Sequence, residues 1–351
     1  MTKVLIKGNE AVGAAMIAAG CTTYFGYPIT PQSEVPEYLS RELPKVGGTF
    51  LQAESEIAAI NMLYGAAGAG TRVATSSSSP GVALMQEGIT YMAGAELPCL
   101  IVNMMRGGPG LGSIQPSQTD YFQSTRGGGN GDYRTITLAP ASIQEMVDLV
   151  HLGFDLADLY RNPVILCGDG MLGQMMEPVE FKNHEPMDLP EKTWAANGTK
   201  GERKPNIINS LYLSPEELEA HNIHLIEKFK TISEKEKRVE AVDTEDADIV
   251  LTAFGTTSRI CKSAAHILKE KGYKVGIIRP ITLWPFPDEA YKAINPECKA
   301  ILDVELNHGQ MVEDVRLAVE GKIPVEFYGR YGGMIPTAEE IAEVALKILE
   351  A

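Results

Sequence analysis

The chain has 351 residues, 44% of them apolar, which is enough material for two packed cores. A formal net charge of −15 opposes nonspecific binding to nucleic acid or to an anionic membrane, so an anionic ligand would need a local positive group. No apolar run is long enough to span a bilayer, and the N-terminus enters a strand-like Val4-Leu5-Ile6 without a signal-peptide core, so a cytoplasmic protein is expected.

Residues 3–190 alternate short apolar runs with small-residue helical stretches, the pattern of a doubly wound α/β sheet. The runs are 3–7, 22–25, 72–76, 98–104, 135–139 and 163–167. Gly8 to Gly13 has the glycine spacing of a phosphate loop but lacks its lysine, and reads as a helix entry. After the second run, Tyr24-Phe25-Gly26-Tyr27-Pro28-Ile29-Thr30-Pro31 holds two prolines and a glycine that no helix interior would accept. The stretch is therefore a strand-to-helix turn, with Thr30 as N-cap and Pro31 in the first position of a helix continuing through Gln32-Ser33-Glu34. Helix mouths at strand ends are where open α/β sheets take ligands. A second helix is opened by an acid, Glu54 or Glu56, and its remaining residues to Gly70 are small and apolar, so one face must lie tightly against other backbone.

Residues 75–81, Thr-Ser-Ser-Ser-Ser-Pro-Gly, follow a strand and precede a helical run over 82–93. They either line the pocket beside Thr30 or form a solvated turn. Arg106 ends an apolar run and leads into Gly107-Gly108-Pro109-Gly110, where a guanidinium suits a carboxylate ligand; the alternative is a surface ion pair. The segment 107–132 is a lid, an interaction surface or disordered, and Tyr121-Phe122 suggest that part of it docks.

Residues 191–246 form a connector in which Ser214-Pro215-Glu216-Glu217 starts a charged helix by cap, proline and acidic first turn. Strand and helix alternation resumes in 247–351, with strands over 249–254, 274–278, 300–305 and 325–328 and helices over 258–271 and 338–349. Gly255-Thr256-Thr257-Ser258 is either an anion site at a helix N-terminus or a tight turn. His308 has no assigned role. Cys21, Cys99, Cys167, Cys261 and Cys298 lack any C-x-x-C spacing and read as buried thiols rather than ligands of zinc or an iron–sulfur cluster.

Tyr27-Pro28-Ile29-Thr30-Pro31, with Glu56 nine residues before Gly65, resembles the pyrimidine-binding domain of thiamine-diphosphate enzymes, specifically the alpha subunit of 2-oxoacid:ferredoxin oxidoreductases. Glu54, eleven residues before Gly65, fits that pattern less well. The likeness continues through Arg106-Gly107-Gly108-Pro109-Gly110 and into the last hundred residues, which resemble the C-terminal domain of transketolase-type enzymes. It implies a thiamine pyrimidine-binding domain over 1–190, the connector over 191–246 and a smaller α/β domain over 247–351.

The resemblance further implies oxidative decarboxylation of a 2-oxoacid to an acyl-coenzyme A, with electrons passed to ferredoxin. Glu56 would face the pyrimidine ring nitrogen, away from water, and the backbone of Tyr27, Pro28 and Ile29 would form the pyrimidine wall. Thr30 and Arg106 would bind the substrate. Gly168-Asp169-Gly170 followed by Asn197 imitates the diphosphate and magnesium motif, but residues 171–190 contain prolines and polar sequence where that motif needs a helix and strand. The diphosphate domain with Mg2+, and the [4Fe-4S] clusters, would belong to partners: a beta subunit, with gamma and ferredoxin-like delta subunits. Coenzyme A would be co-substrate. The glycine loops at 107–112 and 127–133 look most like the branched-chain type acting on 3-methyl-2-oxobutanoate; the 2-oxoglutarate or pyruvate type and a noncatalytic scaffold are the alternatives. A nicotinamide dehydrogenase would need G-x-G-x-x-G between strand and helix, which the glycines here do not supply.

Overall fold

A computed structural model describes residues 3–182, 184 and 187–351. In chain order the first part runs β1 (Val4–Lys7), α1 (Gly8–Ala18), β2 (Thr23–Gly26), α2 (Glu34–Glu42), β3 (Thr49–Gln52), α3 (Glu56–Gly68), β4 (Val73–Ser77) and α4 (Ser79–Gly94). It continues with β5 (Cys99–Met105), α5 (Tyr121–Thr125), β6 (Ile136–Leu138), α6 (Ile143–Tyr160), β7 (Pro163–Asp169), α7 (Gly170–Gln174) and β8 (Met176–Val179). The second part holds α8 (Pro215–Lys235), β9 (Val239–Val242), β10 (Ile249–Thr252), α9 (Thr257–Glu270), β11 (Val275–Pro280) and β12 (Thr282–Trp284). It ends with α10 (Asp288–Lys292), β13 (Ala300–Glu305), α11 (Met311–Val319), β14 (Val325–Gly329) and α12 (Ala338–Glu350).

The main sheet has the order β3-β2-β4-β5-β7-β6-β12, parallel except for the last strand. Strands β4, β5 and β7 are buried along their whole length, which is why they read as continuous apolar or small-residue runs rather than alternating ones. Helices α3 and α4 pack side by side, and α1 packs against α2 and α6. The small-residue pattern of α3 and α4 is explained by their close approach: a Cβ on Gly88 would stand 2.5 Å from Ile60.

Three sequence expectations are corrected. First, β1 does not join the main sheet but pairs antiparallel with β8. Second, Thr30 is not an N-cap and Pro31 is not the first helical residue: α2 begins at Glu34 with Ser33 at its N-cap position. The turn is held by tertiary bonds instead, because Asn9 Nδ2 donates to the Pro31 carbonyl (2.7 Å) and to Glu34 (2.8 Å), and the Gln32 N–H bonds to Ile29 O (3.1 Å). Third, β3, β8, β9 and β12 were not foreseen, being short and half-exposed or, for β12, hidden beside prolines. Of the two readings of residues 255–258 the structure favours the tight turn, since the hydroxyls of Thr256, Thr257 and Ser258 are buried and committed to Asp169, Gln118 and Gly255 O. By contrast, Ser214 accepts from the Glu217 N–H and Pro215 opens α8, the capping read from sequence.

The second sheet, ordered β14-β13-β10-β11-β9, is parallel except for β9. Helices α9 and α12 cover one face with a separate core that includes Leu251, Leu268, Ile341 and Ala345. The remaining core residues, among them Phe254, Tyr291 and Met311, merge with those of the main sheet. Residues 117–122, within the glycine-rich segment, are the seam. Gln118 Nε2 donates to Phe254 O (2.8 Å), its Oε1 accepts from Thr257 (2.9 Å) and the Leu306 N–H (3.1 Å), and the Tyr121 hydroxyl donates to Asp314 (2.6 Å). Among the described residues no helix is long and apolar enough to cross a membrane. All five cysteines are buried, free thiols.

Candidate active site at the carboxyl edge of the main sheet

The chain leaves β2 through α2 to reach β3 on one side, and leaves β4 through α4 to reach β5 on the other. Connections that diverge from neighbouring strands open a crevice at their carboxyl ends. The turn 27–31 and the Ser78-Ser79 step lie at that crevice, and α3 enters beside it from β3. A buried network joins the two sides: the Tyr24 hydroxyl meets Ser76 Oγ at 2.6 Å, and Ser76 Oγ donates to Gln32 Oε1 at 2.5 Å. Tyr24 itself stacks on Phe50 with centroids 5.6 Å apart.

Glu56 is the first residue of α3, whose N-cap is Ser55, accepting from the Ala58 N–H at 3.1 Å. The Glu56 residue is 6% exposed and makes no side-chain hydrogen bond or ion pair among the described residues, whereas Glu54 precedes the helix and is exposed. A buried carboxyl normally has a donor. Gly81, in the first turn of α4, leaves room for this one, since a Cβ there would stand 2.6 Å from Glu56 Oε1 and 2.1 Å from Ser77 Oγ. The Ser77 hydroxyl is also buried without a partner. On the outer side, Tyr27, Pro28 and Thr30 are exposed and Ile29 is half-buried, so the turn faces solvent in the isolated chain. Apolar Leu51, Ile57 and Leu84 are exposed on the neighbouring elements.

Arg106 is buried at the end of β5, and it meets Thr30 directly: Nη1 donates to the Thr30 carbonyl at 2.9 Å and Nη2 to Leu111 O at 3.2 Å. Its Nε–H has no partner, and it forms no ion pair among the described residues, which removes the surface-pair reading. The Arg106 N–H donates to Ser79 Oγ at 3.0 Å, and Ser79 in turn donates to Asp120 Oδ2 at 2.5 Å. Asn103 Nδ2 donates to the same Asp120 oxygen at 2.9 Å, while burial pushes the Asp120 carboxyl above its usual range.

Two cavities flank this arginine. One of about 690 Å³ is lined by Thr30, Pro31, Ile114, Met171, Met175 and Ile335 among others, and one of about 560 Å³ lies between Ser79, the 107–111 loop, Asp120 and Gln310. Neither lining includes a lysine, arginine or histidine.

The structure brings Thr30, Glu56 and Arg106 to one edge of the sheet and places residues 75–79, buried, beside them rather than in a solvated turn; sequence reasoning missed Gln32, which carries no such signal of its own, and Asp120. The partners of the individual serines depend on the sheet and are not legible in the run itself. An isolated acid in a glycine-rich loop was the one available signal for Asp120. Asp169 caps α7 by accepting from the Met171 (2.9 Å) and Leu172 (3.0 Å) N–H groups and from Thr256, and Asn197 accepts from Arg203 in the connector, so the diphosphate-like pair is used structurally. His308 stacks on Tyr331, 5.2 Å between ring centroids. Among the described residues no three His, Cys, Asp or Glu side chains come together to hold a metal ion.

Comparison with known proteins gives the lineage of this arrangement. Residues 14–250 match the family model "Pyruvate flavodoxin/ferredoxin oxidoreductase, thiamine diP-bdg", and residues 247–341 match "Pyruvate:ferredoxin oxidoreductase core domain II". The ketoisovalerate oxidoreductase subunit VorB of Methanothermobacter marburgensis is 49% identical over 100% of this chain and 98% of its own. The 2-oxoglutarate synthase subunit KorA of Methanocaldococcus jannaschii is 35% identical over 97% of this chain and 98% of its own. A solved 2-oxoglutarate:ferredoxin oxidoreductase from Magnetococcus marinus, with 2-oxoglutarate, coenzyme A and succinyl-CoA bound, superposes with a TM-score of 0.87 at 30% identity. It covers 99% of this chain, which spans 65% of the solved chain. A split-gene transketolase shares the fold at TM-score 0.62 and 14% identity. With the thiamine-binding model matched across most of its length and relatives aligned end to end, the chain belongs to the ferredoxin-dependent 2-oxoacid oxidoreductase family as one of its subunits.

Proposed function

We propose that the chain supplies the pyrimidine-binding half of a thiamine-diphosphate site in an oxidoreductase that converts 3-methyl-2-oxobutanoate to its acyl-coenzyme A, with ferredoxin as electron acceptor. The observation that carries this reading is Glu56, a residue 6% exposed whose carboxyl has no protein partner among the described residues, set against Gly81 at the crevice of the sheet. Those residues fit the cofactor: an acid without a protein partner, beside a glycine where even a Cβ would crowd it, suits the close approach of a heterocyclic nitrogen. When bound, thiamine diphosphate supplies the electron sink that lets a 2-oxoacid lose carbon dioxide.

The chain's own side chains then orient and exchange protons. Glu56 would hold the pyrimidine by a hydrogen bond at its carboxyl group and so orient the ring. Tyr27, Pro28 and Ile29 present backbone to that ring. The exposed Thr30 side chain receives the substrate carbonyl, and Arg106 offers its free Nε–H, together with the N–H groups now resting on Thr30 O and Leu111 O, to the substrate carboxylate.

The diphosphate, Mg2+ and [4Fe-4S] clusters are assigned to a beta subunit, with gamma and ferredoxin-like delta subunits completing a cytoplasmic assembly; coenzyme A enters as co-substrate. The branched-chain assignment is supported by the two VorB relatives, 49% and 48% identical, and by flanking cavities whose linings hold no basic residue for a second substrate carboxylate. Co-purifying the chain with its partner subunits and measuring coenzyme A-dependent viologen reduction across several oxoacids tests it. The expected preference is for 3-methyl-2-oxobutanoate; a preference for 2-oxoglutarate would overturn the substrate assignment. Loss of turnover in Glu56→Ala, with the complex still assembled, separates a catalytic subunit from a noncatalytic scaffold.

A further inference from the structure

We infer that Asp120 is a positioning residue for the oxoacid, and that through it the C-terminal sheet sets the place of Arg106. This rests on the assignment of Arg106 to the substrate carboxylate made above. Arg106 lies just past β5, bridged to Pro116 and followed by a run of glycines. Its backbone N–H is held by Ser79 Oγ at 3.0 Å, and Ser79 Oγ is held by Asp120 Oδ2 at 2.5 Å. The same Asp120 oxygen accepts from Asn103, on β5 three residues before Arg106, at 2.9 Å. One buried carboxylate thus ties the end of β5 to the first residue of α4 and has no cation of its own among the described residues.

Asp120 is in turn fixed from the other side. Gln310 Nε2 donates to Thr119 O and Gln310 Oε1 accepts the Phe122 N–H, both at 2.8 Å, so one side chain brackets the Asp120 backbone. Asn307 Nδ2 donates to Gln118 O at 2.8 Å. Both brackets are themselves anchored by Glu305, whose oxygens accept from Asn307 Nδ2 (2.7 Å) and from the N–H groups of Gln310 (3.0 Å), Met311 (3.0 Å) and Val312 (3.1 Å). A continuous path therefore runs from β13 to the Arg106 backbone: Glu305, Gln310, the 119–122 segment that carries Asp120, Ser79 and the Arg106 N–H, from which the guanidinium reaches Thr30 O and Leu111 O. Asp120 also lines the cavity beside the 107–111 loop.

The test uses the co-purified complex carrying Asp120→Ala, Asp120→Asn, Arg106→Ala and the double variant. Asp120→Ala is expected to raise KM for the oxoacid roughly tenfold with little change in kcat, and to leave thiamine diphosphate affinity, read by tryptophan-fluorescence quenching or calorimetry, within about twofold. Asp120→Asn, which still accepts from Ser79 and Asn103, is expected to restore most of the affinity. On the Arg106→Ala background, Asp120→Ala should add nothing, because both act through one group. An unchanged KM in Asp120→Ala, or a full additional loss in the double variant, overturns the inference while leaving the role of Arg106 intact. An unchanged KM in Arg106→Ala instead overturns the substrate assignment on which it rests. Should Asp120→Ala fail to assemble, Gln310→Ala serves as the second variant, with a severalfold rise in KM expected and an unchanged KM counting against the path.

Discussion

The carboxyl edge of the main sheet and the seam with the second sheet are both rich in buried polar groups, yet they treat them in opposite ways. At the seam, Asp169, Gln118 and Glu305 each spend their hydrogen-bonding atoms on named partners. At the sheet edge, Gln32 Nε2, Thr75 Oγ1, Ser77 Oγ, Asn103 Oδ1 and Arg106 Nε are buried with none, and the Glu56 carboxyl is likewise unpaired. An unsatisfied buried group costs about 1–3 kcal/mol, so a concentration of them in one place marks where something outside the chain completes the bonding.

Breaking the sheet-edge side of this contrast should have the largest effect on turnover. Glu56→Gln keeps the size of the side chain but removes its acid, and should lower kcat by about a thousandfold in a complex that still assembles, as judged by size-exclusion chromatography with a parallel viologen assay. Arg106→Lys keeps the charge and loses the planar fork; KM for the oxoacid should rise about tenfold, measured from initial rates. Gly81→Ala forces a methyl toward Ser77 and Glu56, and should weaken thiamine diphosphate binding by roughly tenfold in calorimetry, with a stability loss of about 1–3 kcal/mol.

The seam responds in stability instead. Asp169→Ala removes the cap of α7 and orphans Thr256, so denaturant unfolding should show a loss of about 2 kcal/mol while activity per folded complex is retained. Asp303 sharpens the comparison because it is the exception on the second sheet: both of its oxygens are buried without a partner, and burial pushes its carboxyl well above the usual range. A carboxyl raised in the folded state binds its proton there at pH values where the unfolded chain has lost it, so its contribution to stability is full at acid pH and declines as pH rises. Asp303→Asn should therefore raise Tm modestly at neutral pH, and the gain should shrink as pH falls toward the ordinary carboxylate range.

Much of this was legible in the residues, for identifiable reasons. The run 98–104 announced β5 because a strand covered on both faces has no need of polar residues, and Ser214-Pro215 announced α8 because cap and proline act within one turn. The turn at Thr30-Pro31 was misread since the same two residues suit a helix start, and only the distant Asn9 and Arg106 show that their carbonyls are claimed elsewhere. Glu56 could be preferred over Glu54 by spacing, but its isolation from protein donors depends on Gly81, twenty-five positions away. Asp120 was beyond reach because its partners come from β5, α4 and, through Gln310, the second sheet.

Strand β12 reaches back from the second half of the chain to lie antiparallel on β6 at the edge of the main sheet. The earlier half therefore leaves the ribosome with that margin uncovered until residue 284 has emerged, and a truncation at the end of β8 would display an unpaired ladder open to self-association. Parting the chain between its halves would separate a hydrogen-bonded strand pair rather than cut a tether.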